Sequence, residues 1–140
     1  MTTNAYLNFN GQCAAAFKFY ERCFNGKIRM SMTYGESPMA SKSPADQHDR
    51  IVHVTLDIGD GMLMGSDVPP EMFQKPQGFA VHIGVTDTAE AKRLFDALSE
   101  NAQVVRMPLQ KTFWSESFGM LIDQFGTLWM VNCPQQPQEK

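Results

Sequence analysis

The sequence predicts an α+β fold made of two tandem βαβββ modules. The first observation is a pair of amphipathic helical segments, one in each half of the 140-residue chain. The second is that one short apolar strand precedes each helix and three strands follow it. The third is a constant offset of 75 residues between the helices, from Ala16 to Ala91 and from Tyr20 to Phe95. The second half of the chain therefore repeats the plan of the first.

The first module is predicted from the periodicity of its apolar residues. Residues 14–23 repeat apolar side chains at helical spacing, which indicates one buried face, and Gly26 is expected to end this helix. Asp60-Gly61 lies between two apolar runs, which is a common signal for a hairpin turn. The predicted strands cover residues 5–9, 28–34, 51–58 and 62–66.

The second module follows the same order. Residues 89–98 form the predicted helix, and Asp87 followed by Glu90 predicts a capping box at its start. A tight turn is expected at Phe125-Gly126, between two short aromatic strands. The predicted strands cover residues 79–85, 103–109, 118–122 and 128–131.

The length fits one compact domain. We therefore expect a single domain over residues 1–140, with one module at about residues 1–70 and the other at about 76–134. Two polar segments, residues 35–49 and 68–78, interrupt the pattern. Long loops at the mouth of a sheet often cover ligands, and they are as often simple surface.

Composition and charge restrict the function. The chain is 43% hydrophobic and 19% charged, with a net charge of −3, which is ordinary for a globular protein. Lysine and arginine are scattered, so no nucleic-acid partner is expected. No apolar run approaches the roughly 18 residues of a membrane span, and no signal peptide is recognisable. Cys13, Cys23 and Cys133 lack metal-type spacing, which favours free thiols in a reducing cytoplasm.

Strand alternation indicates which side chains are available for binding. In the third strand Val52, Val54 and Leu56 form an apolar face, which leaves His53 on the other face. In the fifth strand, the same alternation places His82 on the face opposite its apolar neighbours. If the helices cover the apolar faces, both histidines lie on uncovered sheet faces. The ten methionines are either adaptable core residues or the soft walls of a ligand pocket.

Several motifs together carry a resemblance that covers nearly the whole chain. They are Tyr6-Leu7-Asn8-Phe9-Asn10-Gly11, Phe19-Tyr20 in the Ala-rich helix, His53, Ser66-Asp67, Phe113-Trp114, Phe118-Gly119, Asp123-x-Phe125-Gly126 and Trp129-x-x-Asn132. With these motifs the chain resembles the vicinal oxygen chelate superfamily, which includes glyoxalase I, bleomycin-resistance proteins and extradiol dioxygenases. Within that superfamily it is similar to the PhnB-like branch.

The resemblance implies an architecture and a metal position. It implies two modules whose mixed sheets curl into a cup, with the helices on the outer face, usually in a homodimer. In metal-using members each module provides a histidine from its first strand and a carboxylate from its last. Carried over, the histidine positions fall on Ala5 and Ala80, and the carboxylate positions on Met64 (or its neighbour Gly65) and Met130. Methyl and thioether groups do not hold a hard divalent ion, so we expect no metal at these positions and no cofactor.

The resulting hypothesis is a small-molecule binding protein with a metal-free concave pocket. Aromatic and thioether side chains would supply apolar contact, and a few polar groups would orient the ligand. The expected partners are this ligand and a second copy of the chain. The candidate ligand-binding residues are His53, Ser66, His82, Trp114, Ser117, Met130 and Asn132.

A metal-dependent lyase, isomerase or dioxygenase of the glyoxalase type is the alternative. It would use His53 or His82 as ligand, acid or base, with Asp57 or Asp67 completing the coordination. Whether the chain is an enzyme stays open at this point.

PhnB-like sequences are also often labelled as 3-demethylubiquinone-9 3-methyltransferase-like. A methyl donor normally binds at a Gly-rich turn in a doubly wound sheet. The sequence contains no such turn, so methyl transfer is not expected.

Overall fold

The computed structural model describes residues 1–135, which contain eight strands and two α-helices. The chain divides into two compact units between Gln74 and Lys75. Each unit has the strand and helix order βαβββ. The predicted α+β class and the tandem βαβββ modules are therefore confirmed.

The first unit contains one helix and a four-stranded mixed sheet. The sheet has the order β1-β4-β3-β2, in which β1 runs parallel to β4 and the other pairs are antiparallel. Short 3-10 turns lie in the segments on either side of β3 and β4. The elements are β1 (Ala5–Phe9), α1 (Cys13–Phe24), β2 (Lys27–Thr33), β3 (Ile51–Ile58) and β4 (Gly61–Asp67).

The second unit repeats this topology. Its sheet has the order β5-β8-β7-β6, and β5 runs parallel to β8 while the other pairs are antiparallel. The elements are β5 (Val81–Gly84), α2 (Thr88–Leu98), β6 (Val104–Gln110), β7 (Ser115–Ile122) and β8 (Leu128–Pro134).

Helix α1 covers one face of the first sheet. Its Phe17 packs so closely on β4 that a Cβ atom at Gly65 would lie 2.6 Å from Phe17 Cε2. Successive strand residues face opposite sides, so the neighbours of Gly65 face away from the helix. We call this uncovered side the first open face. It carries Tyr6, Asn8, Met30, Met32, His53, Thr55, Met64 and Ser66.

Helix α2 covers the second sheet in the same way. A Cβ atom at Gly119 would lie 2.6 Å from Phe95 Cε2, so Gly119 faces the helix. Its strand neighbours Phe118 and Met120 face the other side. We call that side the second open face. It carries His82, Met107, Gln110, Phe118, Met120, Met130 and Asn132.

Two of the predicted turn details are wrong. Helix α1 ends at Asn25, which adopts the left-handed conformation with φ 49°. Gly26 follows because a Cβ atom there would lie 2.5 Å from the carbonyl oxygen of Asp57. The β3–β4 hairpin pairs Ile58 with Gly61, so its turn residues are 59 and 60 rather than 60 and 61.

Only one half of the predicted capping box forms at the start of α2. Asp87 caps the helix by accepting a hydrogen bond from the backbone N–H of Ala89 at 2.9 Å. Glu90 does not complete the predicted box, because its carboxylate binds Arg93 at 2.7 Å. The hydrogen bond from Arg93, aided by its positive charge, lowers the pKa of Glu90.

The motifs at the C-terminal end of the chain organise the β7–β8 turn. Asp123 accepts hydrogen bonds from the backbone N–H groups of Phe125 and Thr127 and from the indole N–H of Trp129, at 2.8, 3.0 and 2.8 Å. Both Asp123 and Trp129 are fully buried. A buried carboxylate needs such donors to offset the loss of water. Asp123 and Trp129 therefore stabilise the fold rather than contact a ligand.

Neither helix within residues 1–135 is long and apolar enough to cross a membrane.

Candidate functional site

The first open face carries a short chain of hydrogen-bonding side chains. The phenol oxygen of Tyr6 lies 3.0 Å from Nδ1 of His53, and Nε2 of His53 lies 3.0 Å from Oγ1 of Thr55. The two rings also stack, with centroids 5.6 Å apart and planes inclined by 28°. Both imidazole nitrogens are thus engaged, which fixes the orientation of the ring. Tyr6 remains 43% exposed, so this pair is accessible to a ligand.

Methionines surround the Tyr6–His53 pair. Met32 pairs with His53 across β2 and β3, and Met64 pairs with Tyr6 across β4 and β1. Met30 pairs with Thr55, the partner of His53. Side chains that are directly opposite on neighbouring strands have Cβ atoms about 5 Å apart. An aromatic ring, an imidazole and three thioethers therefore share one accessible surface.

A second row of methionines crosses the second open face. Met107 pairs with Met120, Met120 pairs with Met130, and Met130 pairs with His82. We call these four residues, three methionines and the histidine at the end, the thioether row. The corresponding row of the first sheet contains Met30, Thr55, Met64 and Tyr6 in the same strand order.

Five of the seven predicted ligand-binding residues lie on the open faces. His53 and Ser66 are on the first, and His82, Met130 and Asn132 are on the second. Ser66 is 8% exposed, which limits its contact with a ligand. The side-chain oxygen of Asn132 accepts a short hydrogen bond from the hydroxyl of Ser115.

The other two predicted residues lie elsewhere. Ser117 pairs with Cys133 and is buried, and it shares the helix-covered side with Gly119 because the two are separated by two positions. Trp114 precedes β7 and is 47% exposed. Its ring packs edge-on against Phe113 and Phe118, at centroid distances of 4.7 and 5.6 Å. It borders the second open face through Phe118.

The positions that the resemblance assigns to metal ligands do not carry a set of hard donor side chains. Met64 and Met130 lie on the open faces opposite Tyr6 and His82, and they offer thioether sulfur. Ala5 and Ala80 offer no donor atom. Hard divalent ions require oxygen or imidazole ligands. The chemistry of this donor set does not match such an ion.

The two carboxylates considered as additional ligands have other partners. Asp57 forms an ion pair with Arg29 at 2.8 Å. Asp67 is 1% exposed and accepts three hydrogen bonds from the backbone N–H groups of Gly11, Cys13 and Ile51. Within residues 1–135, no group of three or more His, Cys, Asp or Glu side chains is arranged to hold a metal.

The two polar segments of the first unit line one cavity of about 220 Å³. Arg50 lines it, and its guanidinium donates hydrogen bonds to Asn10 Oδ1 at 2.9 Å and to the carbonyl oxygen of Val68 at 2.8 Å. Burial raises the pKa of Tyr34, which also lines the cavity. The lining residues are Tyr34, Met39, Lys42, Ser43, Pro44, Gln47, Arg50, Val68, Pro69, Pro70 and Glu71.

Sequence reasoning did not find Tyr6 and Thr55 as partners of His53. Thr55 could have been found, because it lies two residues from His53 and therefore on the same strand face. Tyr6 is separated from His53 by 47 positions. Its place depends on the parallel pairing of β1 with β4, for which the local sequence contains no signal.

Comparisons with known proteins agree with the fold and extend over nearly the whole chain. The family described as 3-demethylubiquinone-9 3-methyltransferase matches residues 2–132. Protein YjdN of Escherichia coli (strain K12) is 30% identical, and the alignment covers 99% of this chain and all of that protein.

Two solved structures are similar to the chain over almost their full lengths. Protein PA1353 from Pseudomonas aeruginosa is 42% identical with a TM-score of 0.88, covering 97% of this chain and 99% of that one. The PhnB protein from Bacillus cereus shares the fold, with 21% identity, a TM-score of 0.79 and coverage of 95% and 99%.

These matches include both units, and they confirm the resemblance predicted from the sequence motifs. The chain belongs to the family described as 3-demethylubiquinone-9 3-methyltransferase, whose model matches it from before β1 to within β8.

Proposed function

We propose that the protein binds a small organic molecule on its open sheet faces, without a hard metal ion. The observation that carries this proposal is the Tyr6–His53 pair, in which an accessible aromatic ring and an oriented imidazole lie next to each other. Binding sites for small molecules are mostly apolar and contain a few well-placed polar groups. The first open face has this composition.

The methionines suit such a surface. Met30, Met32 and Met64 flank the pair in direct register, and thioether side chains adapt their shape and interact well with aromatic rings. A planar, partly aromatic ligand with one hydrogen-bonding group would use the ring of Tyr6 for contact and its hydroxyl, which His53 holds in place, for orientation. On the second open face, His82, Met130 and Asn132 offer a similar mixture.

The donor set argues against metal-dependent chemistry of the glyoxalase type. Such an enzyme needs a coordinated divalent ion and a base. The thioethers of Met64 and Met130 fill the positions where carboxylates would be needed. Asp67 already accepts three backbone hydrogen bonds, which leaves it little capacity to act as ligand or base.

The family description refers to methyl transfer, but the described sheets do not have the architecture on which methyl donors usually bind. Each has a single parallel pair, β1 with β4 or β5 with β8, rather than a doubly wound parallel arrangement. We therefore propose binding, and not methyl transfer, as the activity.

We also propose that the protein acts as a cytoplasmic homodimer. Support comes from the three cysteines, which are all buried and form no disulfide, and from the dimers that are usual among the proteins that the chain resembles. Light scattering after gel filtration tests the dimer, with twice the mass of the 15.8 kDa chain expected. A mass of one chain at micromolar concentration would contradict it.

A thermal-shift screen tests the binding proposal. Chelator-treated protein is screened against small aromatic and heterocyclic metabolites, because a compound that binds the folded state raises the melting temperature. We expect at least one compound class to stabilise the chelator-treated protein, and His53→Ala to abolish the shift. Met72→Leu, which changes an exposed methionine outside both open faces, is the matched control. Stabilisation only after a divalent metal is restored would overturn the proposal.

A further inference from the structure

The thioether row combines donor atoms of an unusual kind on one accessible surface. Met120, Met130 and His82 lie in direct register on three adjacent strands, and Met107 extends the row by one strand. The methionines are half-buried, whereas His82 is exposed. The row thus presents sulfur and nitrogen donors side by side.

His82 differs from the other histidines in its hydrogen bonding. Both ring nitrogens of His53 are engaged with Tyr6 and Thr55, and Nε2 of His48 lies near two backbone carbonyl oxygens. The described residues provide no hydrogen-bond partner for the ring of His82. The ring lies next to Gly84, where a Cβ atom would be in van der Waals contact at 3.5 Å from His82 Cε1. A neutral His82 therefore has a lone pair available for an external ligand.

We propose that Met120, Met130 and His82 form a binding site for a soft monovalent cation of the Cu(I) class on the second open face. Thioether sulfur is a soft donor that selects Cu(I) over hard divalent ions, and imidazole is also suited to copper. This site takes a different class of ion from the hard divalent metals whose ligands are missing, and it does not depend on the small-molecule proposal.

The spacing of the row allows three ligands to converge. Opposite side chains in neighbouring strands have Cβ atoms about 5 Å apart, so an ion above Met130 is within reach of both flanking side chains. Met107 is two strands from Met130, about 10 Å away. Met107 is therefore a neighbour of the site, next to Met120, rather than one of its three central ligands.

Charge also favours a monovalent ion. Two thioethers and a neutral imidazole carry no negative charge, so they do not offset the cost of removing a divalent ion from water. That cost is smaller for a singly charged soft ion. Such an ion also forms bonds to sulfur that have greater covalent character.

The first sheet provides an internal control. Its corresponding row has Thr55 in place of Met120 and Tyr6 in place of His82, while Met64 corresponds to Met130. It lacks one thioether and the free imidazole. We expect one ion per chain, bound on the second sheet alone.

Titration with Ag(I), followed by the NMR signals of methionine methyl groups labelled with ¹³C, tests the site. Ag(I) serves as a probe of the Cu(I) class that needs no reductant. At one equivalent, the methyl signals of Met120 and Met130 are expected to shift, while those of Met30 and Met64 stay in place. Binding of Ag(I) to the buried thiols of the three cysteines would leave Met120 and Met130 unshifted, and this result would overturn the proposal.

A matched pair of variants gives the second readout. Leucine replaces methionine with little change in volume, so Met130→Leu and Met64→Leu should both fold. Met130→Leu is expected to weaken Ag(I) binding at least tenfold in a competition titration, and Met64→Leu to change it less than twofold. His82→Ala should weaken binding to a similar extent as Met130→Leu. Equal affinities of the Met130→Leu and Met64→Leu proteins would refute the site.

Discussion

The phenol oxygen of Tyr6 lies 3.0 Å from Nδ1 of His53, although 47 positions separate the two residues in the sequence. The parallel pairing of β1 with β4 brings them together, since Tyr6 pairs with Met64 and β4 adjoins β3. The other imidazole nitrogen is near Thr55. The histidine is thus held in one orientation on an accessible sheet face.

Tyr6→Phe should disturb His53 without unfolding the protein. The variant keeps the stacked ring but removes the hydroxyl, and a typical hydrogen bond contributes about 0.5–1.5 kcal/mol. We expect the imidazole ¹⁵N resonances of His53 to shift because Nδ1 loses its hydrogen-bond partner. The resonances of His82, which lies on the second sheet, serve as the internal control. Unchanged His53 resonances would show that the hydroxyl does not orient the ring.

Gly65→Ala should destabilise the first unit. The added Cβ atom would lie 2.6 Å from Phe17 Cε2 and 2.9 Å from the carbonyl oxygen of Leu7, so the helix or the strand must move. Overpacking of this kind costs about 1–3 kcal/mol in the free energy of unfolding, which urea denaturation measures. Gly61→Ala is the control, because its nearest neighbour atom is 3.5 Å away. Equal losses in the two variants would contradict the packing of α1 on β4.

Asp67→Asn should also destabilise the protein. The carboxylate accepts backbone N–H groups of Gly11 and Cys13 on one oxygen, at 2.7 and 3.1 Å, and that of Ile51 on the other, at 2.9 Å. An asparagine has only one acceptor oxygen, so its NH₂ group must face a backbone donor. Leaving buried donors unsatisfied costs about 1–3 kcal/mol, again measurable by urea denaturation.

Asp57→Asn provides the comparison for this carboxylate. Asp57 forms an ion pair with an exposed arginine, Arg29, at 2.8 Å, and exposed pairs of this kind contribute at most about 1 kcal/mol. We expect the Asp67 variant to lose clearly more stability than the Asp57 variant. The reverse order would mean that Asp67 does not anchor the start of α1 and β3.

Cys13 should make the stability of the protein depend on alkaline pH. Burial raises the pKa of its thiol far above the ordinary value, and the nearby carboxylate of Asp67 acts in the same direction. The thiol of the unfolded chain ionises at about pH 8.5, whereas the folded thiol stays protonated. The unfolded state therefore binds fewer protons above this pH, and the stability contributed by the neutral thiol declines as the pH rises.

Urea denaturation between pH 7.5 and 10 measures this dependence. Cys13→Ala removes the titrating group, so the free energy of unfolding of this variant should fall less steeply with pH than that of the original protein. The two slopes should differ by at most about 1.4 kcal/mol per pH unit. In the folded protein the thiol of Cys13 should also resist alkylation at pH 8. Parallel slopes for the two proteins would contradict the buried neutral state of Cys13.

The sequence was sufficient for the elements, because their signals are local. Apolar spacing predicted both helices and the boundaries of β1 and β3 without error. The reason for a glycine at position 26 could not be predicted in this way. Gly26 is required because the backbone of Asp57 in another strand approaches it closely, and not because of its own backbone conformation. Such an approach depends on tertiary packing, which local propensity does not encode.

The candidate site was predictable to the extent that it depends on strand alternation. His53, His82 and Met130 lie on the uncovered faces as expected from alternation. Ser117 does not, because it has the same parity as Gly119, which faces α2. To predict the thioether row, one needs the register between segments that are far apart in the sequence. The spacing of residues within one strand does not contain that information.

The most direct test of ligand binding on the open faces uses the ten methionines as probes. A compound that stabilises the protein is added to saturation, and the ¹³C methyl signals of the methionines are followed. Shifts are predicted for open-face methionines, above all Met30, Met32 and Met64, while Met39 and Met72 stay in place. Shifts confined to Met39 and Met72 would put the ligand near the loop cavity of the first unit and contradict the proposed site.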